Sequence, residues 1–507
     1  MTPAAAQQHF GVWMLDPDGG TAPQMRNAGA AWTRVAISWA GTESSPGVYH
    51  WAGADSEVNA ARAHGFQILL SVMGNPSWAA ETPCGPIRPE HIPTFVAFMR
   101  AVVARYAAAP YNIRYFEIGN EPDNSDALHY AWVGGCWGKG PNQAAGAGGD
   151  RYAALLQAVY PAMKAVNPSI IVTNGGLAYD AWLSEGGPFD PNFFTDFLAA
   201  GGGNAIDAIN FHYYHAFAYK WGSVEGKAAD LQTKARNAIG RTLPLILTEM
   251  GHPSSKPAGS SDPNTYSEDD QARFVFQGYA QAIAIGIYPI LWFQDKDSPQ
   301  LSGGYSYGLL RIDLSPKLAY TAHRVLSTEL AGTTFWRRWT TLGNRFQAYT
   351  YTGSGKMRVV VWRGASTGAL LPFSVAGVGA SLRLVRKDGS EQWIADGSAQ
   401  DRDGVVDGQV TLEIGPDPVI TDVEPASPST PTPTPTPTPP PSGSLIFADS
   451  FESGTLGAWS GAVTDGGNLA VTTAAALVGT RGLQATVNDN NPLYVYDTRP
   501  ANETHYR

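Results

Sequence analysis

Between about residue 9 and residue 330, short apolar runs alternate with longer stretches whose apolar residues recur every three or four positions. The short runs fall at 10–15, 33–39, 66–72, 113–119, 170–173, 206–214, 244–249 and 288–293. Each is nearly continuous in apolar character, which reads as a strand buried on both faces rather than one with a wet side. Segments 91–108, 150–166 and 268–286 carry Ala-rich amphipathic spacing between them. The last opens on Glu268, Asp269 and Asp270, acids that suit a helix N-terminus. Eight buried strands separated by helices predict a parallel sheet covered by helices. Eight is also the number that closes such a sheet into a (β/α)8 TIM barrel, over roughly 250 to 400 residues. An open doubly wound sheet would carry a Gly-rich phosphate turn after its first strand, and 16-DPDGG-20 does not match that pattern. An α/β barrel is therefore expected over 9–330.

The period changes after the helical segment 316–330. From 333 to 423 short alternating runs such as 346-FQAYTYT-352, 357-MRVVVW-362 and 381-SLRLVR-386 are punctuated by turns at 388-DGS-390 and 407-DGQ-409. That pattern predicts a small all-β sandwich domain. Residues 425–444, PASPSTPTPTPTPTPPPSGS, are a Pro/Thr linker, an extended and semi-rigid spacer of roughly 3 Å per residue. Residues 445–507 read as a truncated, β-rich, jelly-roll-like module.

Composition narrows the choice of partners. The apolar fraction is 43%, yet no run approaches the roughly 18 residues a membrane span needs, so no span is expected. The net charge is −10 and the 34 Lys and Arg residues are scattered, which argues against nucleic acid. Fifteen Trp and 22 Tyr suit sugar stacking as well as core packing. The two cysteines, Cys84 and Cys136, follow the third and fourth strand-like runs, on one rim of the expected fold; a disulfide fits there if the protein is exported. With no His or Cys partners at ligand spacing, neither a metal nor another cofactor is expected. Residues 1–15 lack the basic stretch and apolar core of a signal peptide. The linker and modular layout still favour an extracellular or cell-surface location.

Two acids stand out against this background. Glu121 closes 113-IRYFEIGNEP-122, and Glu249 closes 243-LPLILTEMGH-252. A strand that ends on a carboxylate beside Gly or Pro places the acid at the mouth of a sheet, and in a parallel barrel that face carries the chemistry. Two carboxylates there can divide the work of double displacement at a glycosidic bond. One stays protonated for the leaving oxygen and the other attacks the sugar.

With Asn120-Glu121-Pro122 following 116-FEIG-119, and 247-LTEMG-251 on the seventh run, the barrel resembles clan A of the glycoside hydrolases. The resemblance implies a retaining β-glycosidase acting on a carbohydrate substrate, with Glu121 as acid/base and Glu249 as nucleophile. It implies that Asn120 contacts the sugar 2-hydroxyl, that Arg34 holds the nucleophile ionised, and that His212 and Tyr214 bind substrate and orient the nucleophile. Tyr213 is the alternative for the orienting tyrosine. Trp292 would stack under the sugar, with core packing as its alternative, and an interior ion pair is the alternative for Arg34. Trp39 and Trp78, after the second and third strands, would line outer subsites. The stretch 38–65 and the appended β-domain are similar to family 39 first and family 5 second, which implies β-xylosidase-like or endo-glycanase-like activity; Met250 departs from the commoner Glu-Phe. A non-catalytic glycan-binding barrel and a transglycosylase using the same glutamates are the competing readings. The long segment 123–149, with Trp132, Cys136 and Trp137, is expected to wall the aglycone side.

Overall fold

The computed structural model of the chain describes residues 6–14, 17, 20–129, 135–217, 219–298, 303–340, 342, 345–364, 367–426, 449, 451–476 and 480–498. Trp132 and nearly all of the linker lie outside them. The eight expected strands are β1 Phe10–Trp13, β2 Trp32–Ser38, β3 Gln67–Met73, β4 Tyr115–Ile118, β5 Ile171–Asn174, β6 Ile209–Tyr214, β7 Leu245–Gly251 and β8 Ile290–Phe293. They pair in the order β5-β4-β3-β2-β1-β8-β7-β6, every neighbour parallel. The β5–β6 seam is closed by bridges at Thr173–Ala208 and Leu177–Phe211, and by the Asn174 amide, which bonds both the N–H and the carbonyl of Asn210. The sheet is therefore a barrel.

A helix follows each strand: α1 Ala22–Asn27, α2 Ala52–Ala63, α3 Ile92–Tyr106, α4 Gly149–Val166, α5 Phe193–Ala199, α6 Val224–Ile239, α7 Glu268–Ala284 and α8 Leu318–Glu329. Ser223 and Ser267 cap α6 and α7 by accepting the N–H groups of Gly226 and Asp270. Outward strand residues such as Phe116, Val172, Phe211 and Trp292 join Phe98, Leu156 and Phe274 of the helices in one core. Inside the barrel, Leu69, Ala208 and Ile246, with Tyr115 and Ile171, fill the N-terminal end. The apolar plug leaves the upper interior to polar side chains.

The sandwich comprises β9 Thr334–Arg338, β10 Phe346–Gly353, β11 Lys356–Arg363, β12 Ala369–Ser374, β13 Ser381–Arg386, β14 Glu391–Ala395, β15 Gln409–Ile414 and β16 Val419–Thr421. Six form one antiparallel sheet, β9-β10-β11-β16-β13-β14, and β12 pairs with β15. Strand alternation gives the larger sheet two buried faces. Val359, Val361 and Phe346 meet Phe373 and Val410 inside the sandwich, whereas Tyr349, Tyr351, Val360 and Trp362 join the barrel core. Barrel and sandwich accordingly form one compact unit running to Pro428. The second unit, within 429–507, contains two small antiparallel pairs, Gly461–Val463 with Tyr494–Tyr496 and Leu469–Thr472 with Gly482–Ala485. No described helix is long and apolar enough to cross a membrane.

Candidate active site

Glu121 reaches the mouth through a turn rather than from a strand end. After β4 the chain passes Gly119 at φ +79° and turns again at Glu121, which takes the left-handed φ of +40°. The turn is held by the Glu121 N–H donating to the carbonyl of Gly176. Glu249 lies inside β7, not at its end, because the strand continues to Gly251. There β7 carries a bulge. Phe211 pairs with Leu247 but the next residue, His212, pairs with Glu249. Thr248 is thus one residue too many for alternation, and both it and Glu249 aim into the barrel.

Arg34, on β2 and 1% exposed, organises the polar layer. Its Nη1 donates to Glu249 Oε1 at 2.7 Å, its Nε to Glu117 Oε2 at 2.6 Å, and its Nη2 to Asn120 Oδ1 at 2.6 Å. Burial alone would lower the guanidinium pKa, but Glu117 and Glu249 outweigh it and keep the cation charged. Tyr214 donates its hydroxyl to Glu249 Oε2. Glu249 is pushed up by burial to about 7, against the pull of Arg34 and the Tyr214 hydrogen bond. Glu121 has neither donor. Burial, then Glu249, then Asp123 push it well above the ordinary carboxylate range. Of the two, Glu121 is the better place for a proton. His212 Nδ1 stands 2.9 Å from Glu121 Oε1, and burial, then Arg34 and Lys227, push the imidazole pKa well down, so the ring is neutral.

One ligand atom each of Glu121, His212 and Glu249 lies within 4.8 Å of the others. These groups are already engaged with one another and with their neighbours: Arg34 and Tyr214 hydrogen-bond Glu249, and His212 contacts Glu121. With one oxygen of each carboxylate within 4.8 Å of the other, the pair is close enough for double displacement, which uses groups about 5 Å apart.

Glu121, Glu249, Asn120, Arg34, His212 and Tyr214 therefore converge. Tyr213 does not: strand alternation turns it outward, where its ring stacks on Phe274 of α7. The same parity corrects Trp292. It is fully buried behind β8 beside Phe274, its indole N–H donating to the Tyr307 carbonyl. The ring at the mouth is Phe293, stacked on Trp13 at 4.9 Å and edge-on to Tyr214 and Tyr307. Trp39 is also core, fully buried among Trp78, Phe95 and Phe98, and lines no subsite. Trp78 stays half-buried on the loop after β3, edge-on to Trp39 and His91. The sequence reading missed Glu117, Asn210 and Thr248. A charged residue two places before Gly119 in an apolar run, and the polar face Asn210-His212-Tyr214 on β6, were the available signals. Cys84 and Cys136 form a disulfide.

A closed parallel barrel whose C-terminal mouth holds two buried carboxylates, one beside Arg34 and one beside a neutral imidazole, defines the class: a carbohydrate-active hydrolase with the clan A barrel. The cellulase family model (glycosyl hydrolase family 5) matches residues 3–295, and the chain belongs to that family. Its fold resembles a family 39 glycoside hydrolase of the gut symbiont Bacteroides cellulosilyticus WH2, at TM-score 0.62 and 20% identity over 83% of this chain and 82% of that one. It also resembles a glucosidase from Croceicoccus marinus, at TM-score 0.55 and 15% identity over 83% and 97% of the two chains. A GH30 endoxylanase from Clostridium papyrosolvens C71 gives TM-score 0.54 and 14% identity over 83% and 96%. No curated protein sequence matches the chain.

Proposed function

We propose that the protein hydrolyses β-glycosidic bonds of oligo- or polysaccharides with retention of configuration, using Glu121 as acid/base and Glu249 as nucleophile. The observation that carries this reading is the contrast between two neighbouring carboxylates, Glu249 held by Arg34 and Tyr214 and Glu121 held by neither. In the first step Glu249 attacks the anomeric carbon as Glu121 transfers its proton to the departing oxygen, leaving a glycosyl ester on Glu249. In the second, Glu121, now ionised, takes a proton from water as the water oxygen attacks the same carbon and frees Glu249. Arg34 also orients the Asn120 amide toward a sugar hydroxyl. Phe293, Trp13 and Tyr307 supply apolar surface for the ring. The segment after β4 stands on the aglycone side in this scheme. The Cys84–Cys136 disulfide and the Pro/Thr tether support action outside the cell.

The test is hydrolysis of aryl β-glucosides, aryl β-xylosides, β-glucans and xylans by wild type, Glu121→Ala and Glu249→Ala, with azide added to each variant. A glycosyl azide of inverted configuration from Glu249→Ala, and of retained configuration from Glu121→Ala, is expected. Undiminished turnover in both variants would end the assignment.

A further inference from the structure

The bulge that adds Thr248 to β7 has a chemical consequence beneath the two carboxylates. Glu117 accepts from Arg34 Nε at 2.6 Å, from the Gly176 N–H at 2.8 Å and from Asn210 Nδ2 at 2.7 Å. With the Asn210 amino group turned to that carboxylate, its Oδ1 faces Thr248 and accepts the hydroxyl proton at 2.9 Å. The alternatives for that proton are Glu117 Oε1 at 3.4 Å, again a pure acceptor, and His212 Nε2, but giving it to Nε2 would set Thr248 Oγ1 against Asn210 Oδ1 lone pair to lone pair at 2.9 Å. A hydroxyl has one proton, so Thr248 Oγ1 meets His212 Nε2, 3.1 Å away, with a lone pair. Nε2 must then carry the hydrogen. A neutral imidazole has one N–H, and Nδ1, 2.9 Å from Glu121 Oε1 and 3.5 Å from Glu249 Oε2, is bare. The polarity runs one way round the barrel interior, from Glu121 through His212 to Thr248, Asn210 and Glu117. Space permits the contact. A Cβ on residue 176 would come within 2.1 Å of His212 Nε2 and 2.7 Å of Thr248 Oγ1, so Gly176 lets the ring and hydroxyl close up.

We infer that Thr248 and Asn210 are positioning residues that fix His212 in its Nε2–H tautomer, so that Nδ1 presents a lone pair to Glu121 and holds the acid/base protonated. This deepens the retaining reading above and rests on it. A bare Nδ1 accepts from the carboxylic acid, whereas it faces the ionised carboxylate lone pair to lone pair. Glu121 is thereby a stronger base in the second step, when it must take a proton from water. The other charged and titratable groups around the pair are Arg34 on β2, Glu117 on β4, Asp123 after it, Tyr214 on β6, Lys227 on α6, Glu249 on β7 and Tyr307 after β8. None of them reaches Nε2. The tautomer is set from Thr248.

Two measurements on the full chain test this. In protein labelled with 15N-histidine, long-range proton–nitrogen correlation should show His212 protonated at Nε2, its signal identified by its loss in His212→Asn. Thr248→Val removes the acceptor while keeping the shape, and frees the ring to place its hydrogen on Nδ1. The basic limb of kcat/KM should then fall by about one pH unit. Glycosides with poor leaving groups, which depend on the acid, should lose about tenfold more rate than dinitrophenyl glycosides. Thr248→Ser should restore both. An Nδ1–H tautomer in wild type overturns the inference whether or not any variant folds, and so does an unmoved basic limb in Thr248→Val. A protein that cleaves no glycoside yet shows the Nε2–H ring overturns the proposed function and supports the tautomer assignment.

Discussion

Glu121 is held against its preferences twice over, with a carboxyl buried beside a second acid and a backbone at φ +40°. The first of these makes stability depend on pH. Because burial and Glu249 raise the folded pKa of Glu121, its contribution to stability is complete below the ordinary glutamate pKa. It is lost as pH rises toward and through the raised value, at up to about 1.4 kcal/mol per pH unit. Glu121→Gln has no proton to lose. Its Tm should match wild type near pH 4 and exceed it by a widening margin toward pH 8; a margin that narrows with pH would mean that Glu121 is ionised in the resting protein. Arg34→Ala should act in the opposite sense, leaving Glu117 and Glu249 buried without their shared cation. A loss of about 3–5 kcal/mol in denaturant unfolding is expected, together with loss of turnover. Residues of this kind are legible in sequence because a charge inside an apolar strand needs a reason. Glu121 and Glu249 were found that way, Arg34 through its match to the clan pattern, and Glu117 was missed although it carries the same signal. Trp292 was misplaced because aromatic character does not reveal strand parity, and Phe293 beside it differs only in the face it presents.

At the scale of elements, the eight strands and their helices follow from the alternation of buried runs and amphipathic stretches. Two local irregularities that build the site do not. The bulge at Thr248 leaves no mark in 243-LPLILTEMGH-252, since it arises from the register β7 keeps with β6 and β8. The left-handed turn at Glu121 is hinted at only by the preceding Gly119. That turn is braced by the segment 135–138: the Trp137 N–H donates to the Pro122 carbonyl, and Asn124 Nδ2 donates to the Gly135 carbonyl. A Cβ at residue 135 would lie 1.8 Å from the Asn120 carbonyl, so the brace runs directly against the acid/base turn. The disulfide anchors this brace to the loop after β3 and closes a span of 52 residues. Loop-closure entropy gives such a link roughly 4 kcal/mol. Cys84→Ser with Cys136→Ser should lower the unfolding free energy of residues 1–428 by about that amount. Below the new Tm, kcat should fall more than KM rises, because the change reaches the acid before it reaches the sugar-binding surface. An unchanged kcat in the folded double variant would show that the turn holds without its brace.

For the whole molecule, the change of period near residue 333 marks a second domain in sequence, but nothing in that pattern says the two domains share a core. The strands facing the barrel carry Tyr349, Tyr351, Val360 and Trp362, residues any half-buried sheet would use. Their role emerges from what covers them. The Tyr351 hydroxyl donates to the carbonyl of Ala280 on α7 at 2.7 Å, Arg358 and Arg383 clasp Glu329 at the end of α8, and Lys387 and Arg273 share Asp417. The pairs on half-exposed Asp417 contribute little each; the buried aromatics contribute more, about 2 kcal/mol for each large side chain withdrawn from water. Cutting after residue 332 strips that cover from α7, the helix against which Trp292 and Tyr213 are packed behind the mouth. The barrel fragment should therefore aggregate or unfold well below the temperature of the intact unit, and lose turnover with it. Cutting at residue 428 leaves both faces covered, so residues 1–428 should unfold in a single calorimetric transition and keep the wild-type kcat/KM on small aryl glycosides. Two resolved transitions in that piece would show that barrel and sandwich fold independently, and that the shared aromatic layer adds contact without cooperativity.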